Sequence, residues 1–381
     1  MLNIPRDKCS ACFACRNVCP KNAVDAERDP VGFLVPQINE NLCVDCNLCR
    51  DVCAVETPPE LTPPKCAKLF VHNDKDVLRR STSGGAFTAI SDLVLENNGA
   101  VVAAAMDETF HIRHAVAESK DERDRMRGSL YAQSDVGLLY RDVKDLLDQG
   151  RQTLFVGTPC QVGALKLYLK RPYENLALVD FLCHGTPSDS LFREHIARLE
   201  RIYGRTAVNY RFRSKEFGWT AALEEIEFQN GVKKANVPVQ AFNHFFYRNL
   251  SLRASCLNCQ YRRPERASDL TIADFWGVEK ILGRRFPRGA SLVFANSERG
   301  NKILNEIAER GLAVDVPLNA VEKKLQATAL RPKGDRDAFW NYYRENGYDA
   351  LVEKYGKRSL KYKTLFELKR LAKKFLAKLL R

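Results

Sequence analysis

Residues 9–20 read Cys9-Ser10-Ala11-Cys12-Phe13-Ala14-Cys15-Arg16-Asn17-Val18-Cys19-Pro20, and residues 43–54 read Cys43-Val44-Asp45-Cys46-Asn47-Leu48-Cys49-Arg50-Asp51-Val52-Cys53-Ala54. Each run spaces three cysteines two residues apart and a fourth three residues further on. Three thiolates at that interval fold around one cube of iron and sulfide, and the fourth points away to ligate the other cube. The spacing therefore assigns Cys9, Cys12, Cys15 and Cys53 to one 4Fe–4S cluster. Cys43, Cys46, Cys49 and Cys19 form the set for a second. A pair of zinc sites is the competing reading, but zinc uses two such pairs per ion and leaves the third cysteine of each run idle.

These runs resemble the bacterial two-cluster ferredoxin module, and the likeness covers roughly residues 1–60. Ala54 stands where the first run has Pro20, which alters a turn and no ligand.

A chain of 381 residues exceeds one ordinary core, so two or three domains are expected. With 45% hydrophobic and 28% charged residues it reads as soluble and globular. No apolar run reaches the roughly 18 residues of a membrane helix, and Met1 to Lys8 lacks the apolar core of a secretory signal. Thirteen cysteines, eight of them in the two cluster-like runs, imply a reducing interior, so the expected location is cytoplasmic, with the inner membrane surface as a further station. The net charge is +13, but ten Lys or Arg against one Glu between 357 and 381 account for +9 of it. A basic tail without a helix-turn-helix, RNA-binding sheet or zinc-finger signature does not point to nucleic acid.

After the cysteine runs, Thr57 to Pro64 carries four prolines and reads as an extended linker that joins no neighbouring core. Beyond it, strands are expected at Leu69–Val71, Ala100–Ala105, His111–Ala117, Thr153–Val156 and Leu176–Leu182. Helices are expected at Gly84–Asn98, Val136–Asp148, Val162–Leu169 and Asp189–Arg201. The alternation argues for parallel βαβ units. Alternating strands with a hairpin at Asn230-Gly231 follow, and Leu292–Ala295 with a helix after Ser297 resumes the α/β pattern. The fold class is thus α+β: a ferredoxin-like two-cluster domain over 1–56, a Pro-rich linker over 57–67, a mixed α/β flavin-binding domain over 68–320, and a helical extension with a basic C-terminal helix over 321–381.

Cys160 and Cys183 follow the ends of consecutive strands, so both thiols belong on one rim of the sheet. Cys256 and Cys259 add a pair from a loop. Four thiolates there can close a third 4Fe–4S cluster; a four-thiolate zinc site and four unrelated buried thiols are the alternatives. Cys66 is a lone thiol outside these sets.

Five stretches occur in order: Ser83-Gly84-Gly85, Arg127-Gly128-Ser129-Leu130-Tyr131, Gly157-Thr158-Pro159-Cys160-Gln161, Cys183-His184-Gly185 and Cys256-x2-Cys259. On these motifs the chain resembles the family of coenzyme F-420 hydrogenase and dehydrogenase beta subunits, which includes plant hydroxymethyl chlorophyll reductase. The resemblance implies a flavin, taken as FAD, and a third 4Fe–4S cluster on Cys160, Cys183, Cys256 and Cys259. It implies flavin contacts from Arg80, Ser81, Ser83, Gly84 and Gly85, and from Gly128, Ser129, Tyr131 and Thr158. Read without it, Arg79 to Gly85 opens a helix and offers free N–H groups to a phosphate, although Ser83 also serves as a plain N-cap. The family usually carries Lys where this chain has Leu130. His184 is the candidate proton donor, against the duller role of a hydrogen-bonded histidine beside the cluster. Asp269 and Asp274 receive no catalytic role.

The function expected is that of an iron–sulfur flavoprotein oxidoreductase. It would work between ferredoxin, or another redox protein, and a deazaflavin or other small-molecule substrate. An electron-transfer subunit without its own substrate is the alternative. In the tail, Leu365, Leu368, Leu371, Phe375 and Leu379 recur at helical spacing among Lys and Arg, which suits peripheral membrane contact or packing on protein.

Overall fold

The structure is a computed structural model that describes residues 4–325, 329–356 and 360–379. Its first element pair is a hairpin in which β1 (Val24–Arg28) runs antiparallel to β2 (Leu34–Ile38). Short helices at Ala14–Val18 and Leu48–Asp51 flank it. The large sheet takes β3 (Cys66–His72), β4 (Ala100–Met106), β5 (Ile112–Ala117), β6 (Thr153–Val156) and β7 (Leu176–Phe181). A separate three-stranded sheet holds β8 (Ala207–Arg211), β9 (Glu225–Phe228) and β10 (Lys233–Lys234). The chain then returns to the large sheet as β11 (Leu270–Asp274), β12 (Ser291–Ala295) and β13 (Gly311–Val316).

The order in the large sheet is β13-β3-β12-β11-β7-β6-β4-β5. The four central strands β4, β6, β7 and β11 are mutually parallel. All four residues of β6 and all five of β12 are buried, as strands covered on both faces must be. The expected parallel units therefore hold only at the centre. β5 turns back on β4 because Asp107 Oδ1 accepts from the Thr109 and His111 N–H groups, closing a turn too short for a parallel crossover. β12 is antiparallel to β11 and β3 to β12.

Helices cover both faces. Ala86–Leu95 buries Ala89 and Ile90 over Val101, Leu154 and Val293. On the other face, Leu139–Asp148 and Pro159–Leu169 pack Val143, Val162 and Leu165 on Val102, Phe155 and Leu178. Full burial of each such side chain contributes roughly 1.5–3 kcal/mol. A third core of aromatic residues joins Phe192 of the helix Asp189–Tyr203 to Phe212, Phe242 and Phe339.

The N-terminal module does not stand apart from this body. Ala14 and Val52 belong to the core under the Pro159–Leu169 helix, and Phe33 to the aromatic core. The buried Asn17 side chain donates to the Gly137 carbonyl at 3.0 Å and accepts from the Tyr140 N–H at 3.1 Å. Arg28 grips Asp189 with two bonds of 2.6 and 2.9 Å. Residues 57–67 likewise differ from a free linker. Thr62 exchanges backbone hydrogen bonds with Arg266, Lys65 N–H bonds to the Ala295 carbonyl, and Leu61 packs on the core. Proline gives up only its own N–H, so the non-proline residues between remain free to pair with an edge.

Candidate functional site

Because β4, β6, β7 and β11 run the same way, their carboxyl ends share one rim, where ligands of open α/β sheets bind. Cys160 lies there in the first turn of the Pro159–Leu169 helix. Gln161 Oε1 accepts from both Thr158 N–H and Thr158 Oγ1, each at 2.9 Å, and fixes that turn. Cys183 leaves the end of β7 two residues before Gly185 (φ +133°), where a Cβ would stand 3.1 Å from Cys256 Cβ. The glycine lets two cysteine-bearing segments approach. Cys256 itself sits on the helix Ala254–Leu257.

The thiols influence one another in sets. Burial pushes Cys183 up to about 12, with Cys256 and Cys259 pushing the same way. Burial also raises Cys160, followed by Cys259, with Cys183 and Cys12 adding to it. In the N-terminal module burial lifts Cys12 to about 11, and Cys9 and Cys53 reinforce the shift. Cys15 responds to burial, then Cys12, Cys9 and Cys53. Cys53, not Cys19, thus lies with the first three. Cys19, Cys43, Cys46 and Cys49 line a separate pocket of about 30 Å³. Among the described residues, no group of three or more His, Cys, Asp or Glu is placed to hold a single metal ion.

One cavity of about 870 Å³ opens from the rim, within the usual size range of cofactor sites. Cys160, Cys183, His184, Cys256 and Cys259 line it together with Ser81, Ser83, Gly85, Gly128, Ser129, Tyr131 and Thr158. Ser129 N–H donates to Thr82 Oγ1 at 2.9 Å and ties two of those loops together. Asp7, Lys8, Ser10 and Val55 of the N-terminal module complete the lining. Buried polar atoms without a hydrogen-bond partner among the described residues cluster on it: Arg127 Nε, Arg213 Nε, Ser255 Oγ, Tyr261 OH and Arg262 Nε.

Two expected contacts fall elsewhere. Arg80 sits at the end of a short helix, Lys75–Arg80, and pairs with Asp124 at 3.0 Å. Gly84 turns to the sheet, where its N–H donates to Ser291 Oγ at 2.9 Å. A Cβ there would come 2.2 Å from the Phe70 carbonyl, so the residue is small for packing rather than for a phosphate. Ser83 Oγ donates to the Ala290 carbonyl at 2.6 Å and caps nothing; Gly85, at φ +89°, holds the N-cap position.

His184 Nε2 donates to Asn249 Oδ1 at 2.8 Å, and its ring leans on Phe246. Burial pushes its pKa down, so the ring is neutral with its N–H committed. Cys66 Sγ, in β3, bonds Asn301 Oδ1 at 3.4 Å, away from both cavities. Asp269 Oδ2 accepts from Leu178 N–H at 2.9 Å and serves to tie strands.

Some of the lining escaped the sequence reading. His114 of β5 is buried, stacks on Phe155 at 5.4 Å and donates Nε2–H to the Val156 carbonyl at 3.2 Å. Burial holds its pKa down to about 4, leaving Nδ1 a buried acceptor with no partner among the described residues. Only its place in an alternating strand signalled it. Where the cavity meets solvent, Trp276 and Tyr247 are 39% and 43% exposed. Trp219 stacks on Trp276 at 5.0 Å, and Arg213 lies 4.8 Å over the Trp276 ring. Asp274 Oδ1 accepts from Trp219 Nε1 at 3.1 Å, and Asp274 Oδ2 pairs with Arg213.

These features define a class: α/β proteins with a mixed sheet whose carboxyl rim carries a cysteine set over a large, loop-built cavity. Residues 71–139 match the N-term family model of the coenzyme F420 hydrogenase/dehydrogenase beta subunit, and residues 150–319 match the C terminus model of the same proteins. The chain belongs to the family of coenzyme F420 hydrogenase/dehydrogenase beta subunits. Both matches lie downstream of the paired cysteine runs. The chain is similar to a subunit of the F(420)H(2) dehydrogenase of Methanosarcina mazei, 22% identical over 362 residues, covering 92% of this chain and 96% of that protein. A chain of the F420-reducing NiFe hydrogenase complex from Methanosarcina barkeri covers 77% of this chain and 92% of its own length at 16% identity, with a TM-score of 0.45.

Proposed function

We propose that this chain is an iron–sulfur flavoprotein oxidoreductase working between a ferredoxin-type donor and a small organic substrate such as a deazaflavin. Membership of the family supports an oxidoreductase electron-transfer role. The carrying observation is that Cys160, Cys183, Cys256 and Cys259 open into the same cavity as the Ser81–Gly85 and Gly128–Tyr131 loops. Cys12 of the N-terminal set is near enough to influence Cys160. Clusters carry electrons singly and a flavin joins them in pairs, so the two together match a one-electron donor to a two-electron substrate.

Three cysteine sets fit clusters: Cys9, Cys12, Cys15 and Cys53; Cys19, Cys43, Cys46 and Cys49; and Cys160, Cys183, Cys256 and Cys259. Ser81, Ser83, Gly85, Gly128, Ser129, Tyr131 and Thr158 are the lining that would hold FAD. His114 offers an acceptor there, and Arg127 a buried donor. At the mouth, the Trp276 shelf and Arg213 suit a planar ring, consistent with a relative named for F(420)H(2). Leu42 and Val44 stand 48% and 58% exposed beside the Cys19 set, an apolar surface for a donor protein.

Anaerobic purification with iron, zinc and flavin analysis tests the reading. All twelve ligand cysteines in three cubes predict about twelve irons and one flavin per chain. About eight irons with stoichiometric zinc would remove the third cluster, and protein without iron or flavin would sink the proposal. The Methanosarcina mazei relative is named as one subunit of its dehydrogenase. Turnover by the purified chain with an artificial donor and a deazaflavin separates a reductase from a relay that needs its partner.

A further inference from the structure

Arg253 is 3% exposed, and no carboxylate forms an ion pair with it among the described residues. Its hydrogen-bond partners are neutral: Nη2 donates to the Leu34 carbonyl at 2.6 Å, and Nε to Gln133 Oε1 at 3.2 Å. Its guanidinium lies 4.8 Å over the Phe33 ring. A buried cation with only neutral partners is costly unless negative charge stands near. The charge at hand is the Asp29 carboxylate and, in the cysteines read as cluster ligands, sulfur. Burial pushes the guanidinium down from its usual pKa, and Cys9, Cys256, Asp29 and Cys160 oppose that push. Cys9 belongs to the N-terminal set, and Cys160 and Cys256 to the rim set.

The placement is built from both sides. Arg253 is the N-cap residue of the Ala254–Leu257 helix that carries Cys256, and its own N–H bonds the Thr186 carbonyl at 2.9 Å. Leu34 belongs to β2 of the N-terminal module. Gln133 is 5% exposed, and its Nε2 reaches the Ala11 carbonyl between Cys9 and Cys12 at 3.4 Å. One guanidinium and one amide therefore stitch the Cys9 loop to the rim.

We propose that Arg253 is the fixed charge that favours an electron on the two cysteine sets it separates, and that Gln133 positions it. This rests on the reading of those sets as cluster ligands. The electron comes from the one-electron donor, adds one negative charge, and makes or breaks no bond. A cation held close by in a low-dielectric interior stabilises that added charge, so it raises the reduction potential.

The test is a redox titration of anaerobic full-length protein followed by electron paramagnetic resonance, with iron counted in every sample. Arg253→Met, which removes the charge at similar length, should weaken reduction of one or both sets about tenfold, or 59 mV for one electron, at wild-type iron content. Arg253→Lys keeps the charge and should stay near wild type. Gln133→Glu keeps the acceptor but neutralises the arginine, and should lower the potential as Arg253→Met does. Unchanged potentials in Arg253→Met or Gln133→Glu with full iron would overturn the proposal. Loss of iron in both would also overturn it, since the pair would then be scaffold only. Wild-type protein without iron would instead defeat the cluster reading itself.

Discussion

Gly84 lies against two strands at once, and a methyl group there meets the Phe70 carbonyl at 2.2 Å and the Ser291 nitrogen at 2.4 Å. Overpacking of that kind costs about 1–3 kcal/mol or more. Gly128 differs: a Cβ would find nothing nearer than Thr82 Oγ1 at 3.7 Å, and only its φ of +107° resists a side chain. Gly84→Ala should therefore lose clearly more folding stability in denaturant titration than Gly128→Ala. Equal losses would mean that the loop yields without moving β3 or β12. The motif around Gly84 was legible as a site-building loop, but the reason for its glycine was not. The residues it touches are 207 positions away at Ser291, a contact that only the sheet order creates. His114 was illegible for a related cause: burial and the Val156 carbonyl, not sequence neighbours, make it an acceptor. Cys66→Ser, by contrast, should leave iron and flavin contents untouched, because its sulfur faces Asn301.

Elements read from period and caps were placed well where both signals were local. β6 spans the residues expected of it, and the helix expected from Asp189 runs to Tyr203, where Gly204 at φ +60° ends it. Strand direction was not readable, since an alternating or buried run looks the same whichever way its neighbour points. The C-terminal helix Leu360–Leu379 shows what remains hidden at this scale. It touches the turns Lys215–Phe217 and Val237–Gln240, as the packing reading expects. Yet Leu365, Leu368, Leu371 and Phe375 stay 46–65% exposed, while Leu379 and Arg381 lie outside the residues whose side chains are described. An apolar row among lysines suits the face of an anionic bilayer, where each Lys or Arg near the surface contributes about 1 kcal/mol. Full-length protein should float with anionic liposomes at low salt, release at high salt, and lose both behaviours on removal of residues 357–381. Identical flotation of the truncated chain would assign the exposed row to protein contacts alone.

For the molecule as a whole, four buried groups set an acid–base balance. His114 and His195 are held down to about 4 and about 3 by burial, and so resist the proton that the unfolded chain takes up below about 6.5. Their contribution to stability is lost as pH falls from that point. Glu224 is raised to about 8 and Asp180 to about 6, again by burial, and they keep protons that the unfolded chain gives up. Their contribution fades as pH rises from about 4 towards those values. Apparent melting temperature should peak near pH 6.5 and decline to pH 8, and Glu224→Gln should flatten that decline; an unaltered slope would clear Glu224 of the effect. Glu224 takes hydrogen bonds from Tyr210 at 2.6 Å and Asn243 at 3.2 Å, so the substitution keeps its shape. The roof of the cavity has its own consequence in time. Asp7, Lys8, Ser10 and Val55 close over walls supplied by residues as late as Lys324 and Leu325. A ribosome makes that roof before the walls, and about three hundred residues separate the first of it from the last of them. The cavity therefore stays open on its N-terminal side until those late walls are made, and a bulky occupant has its widest door during that interval.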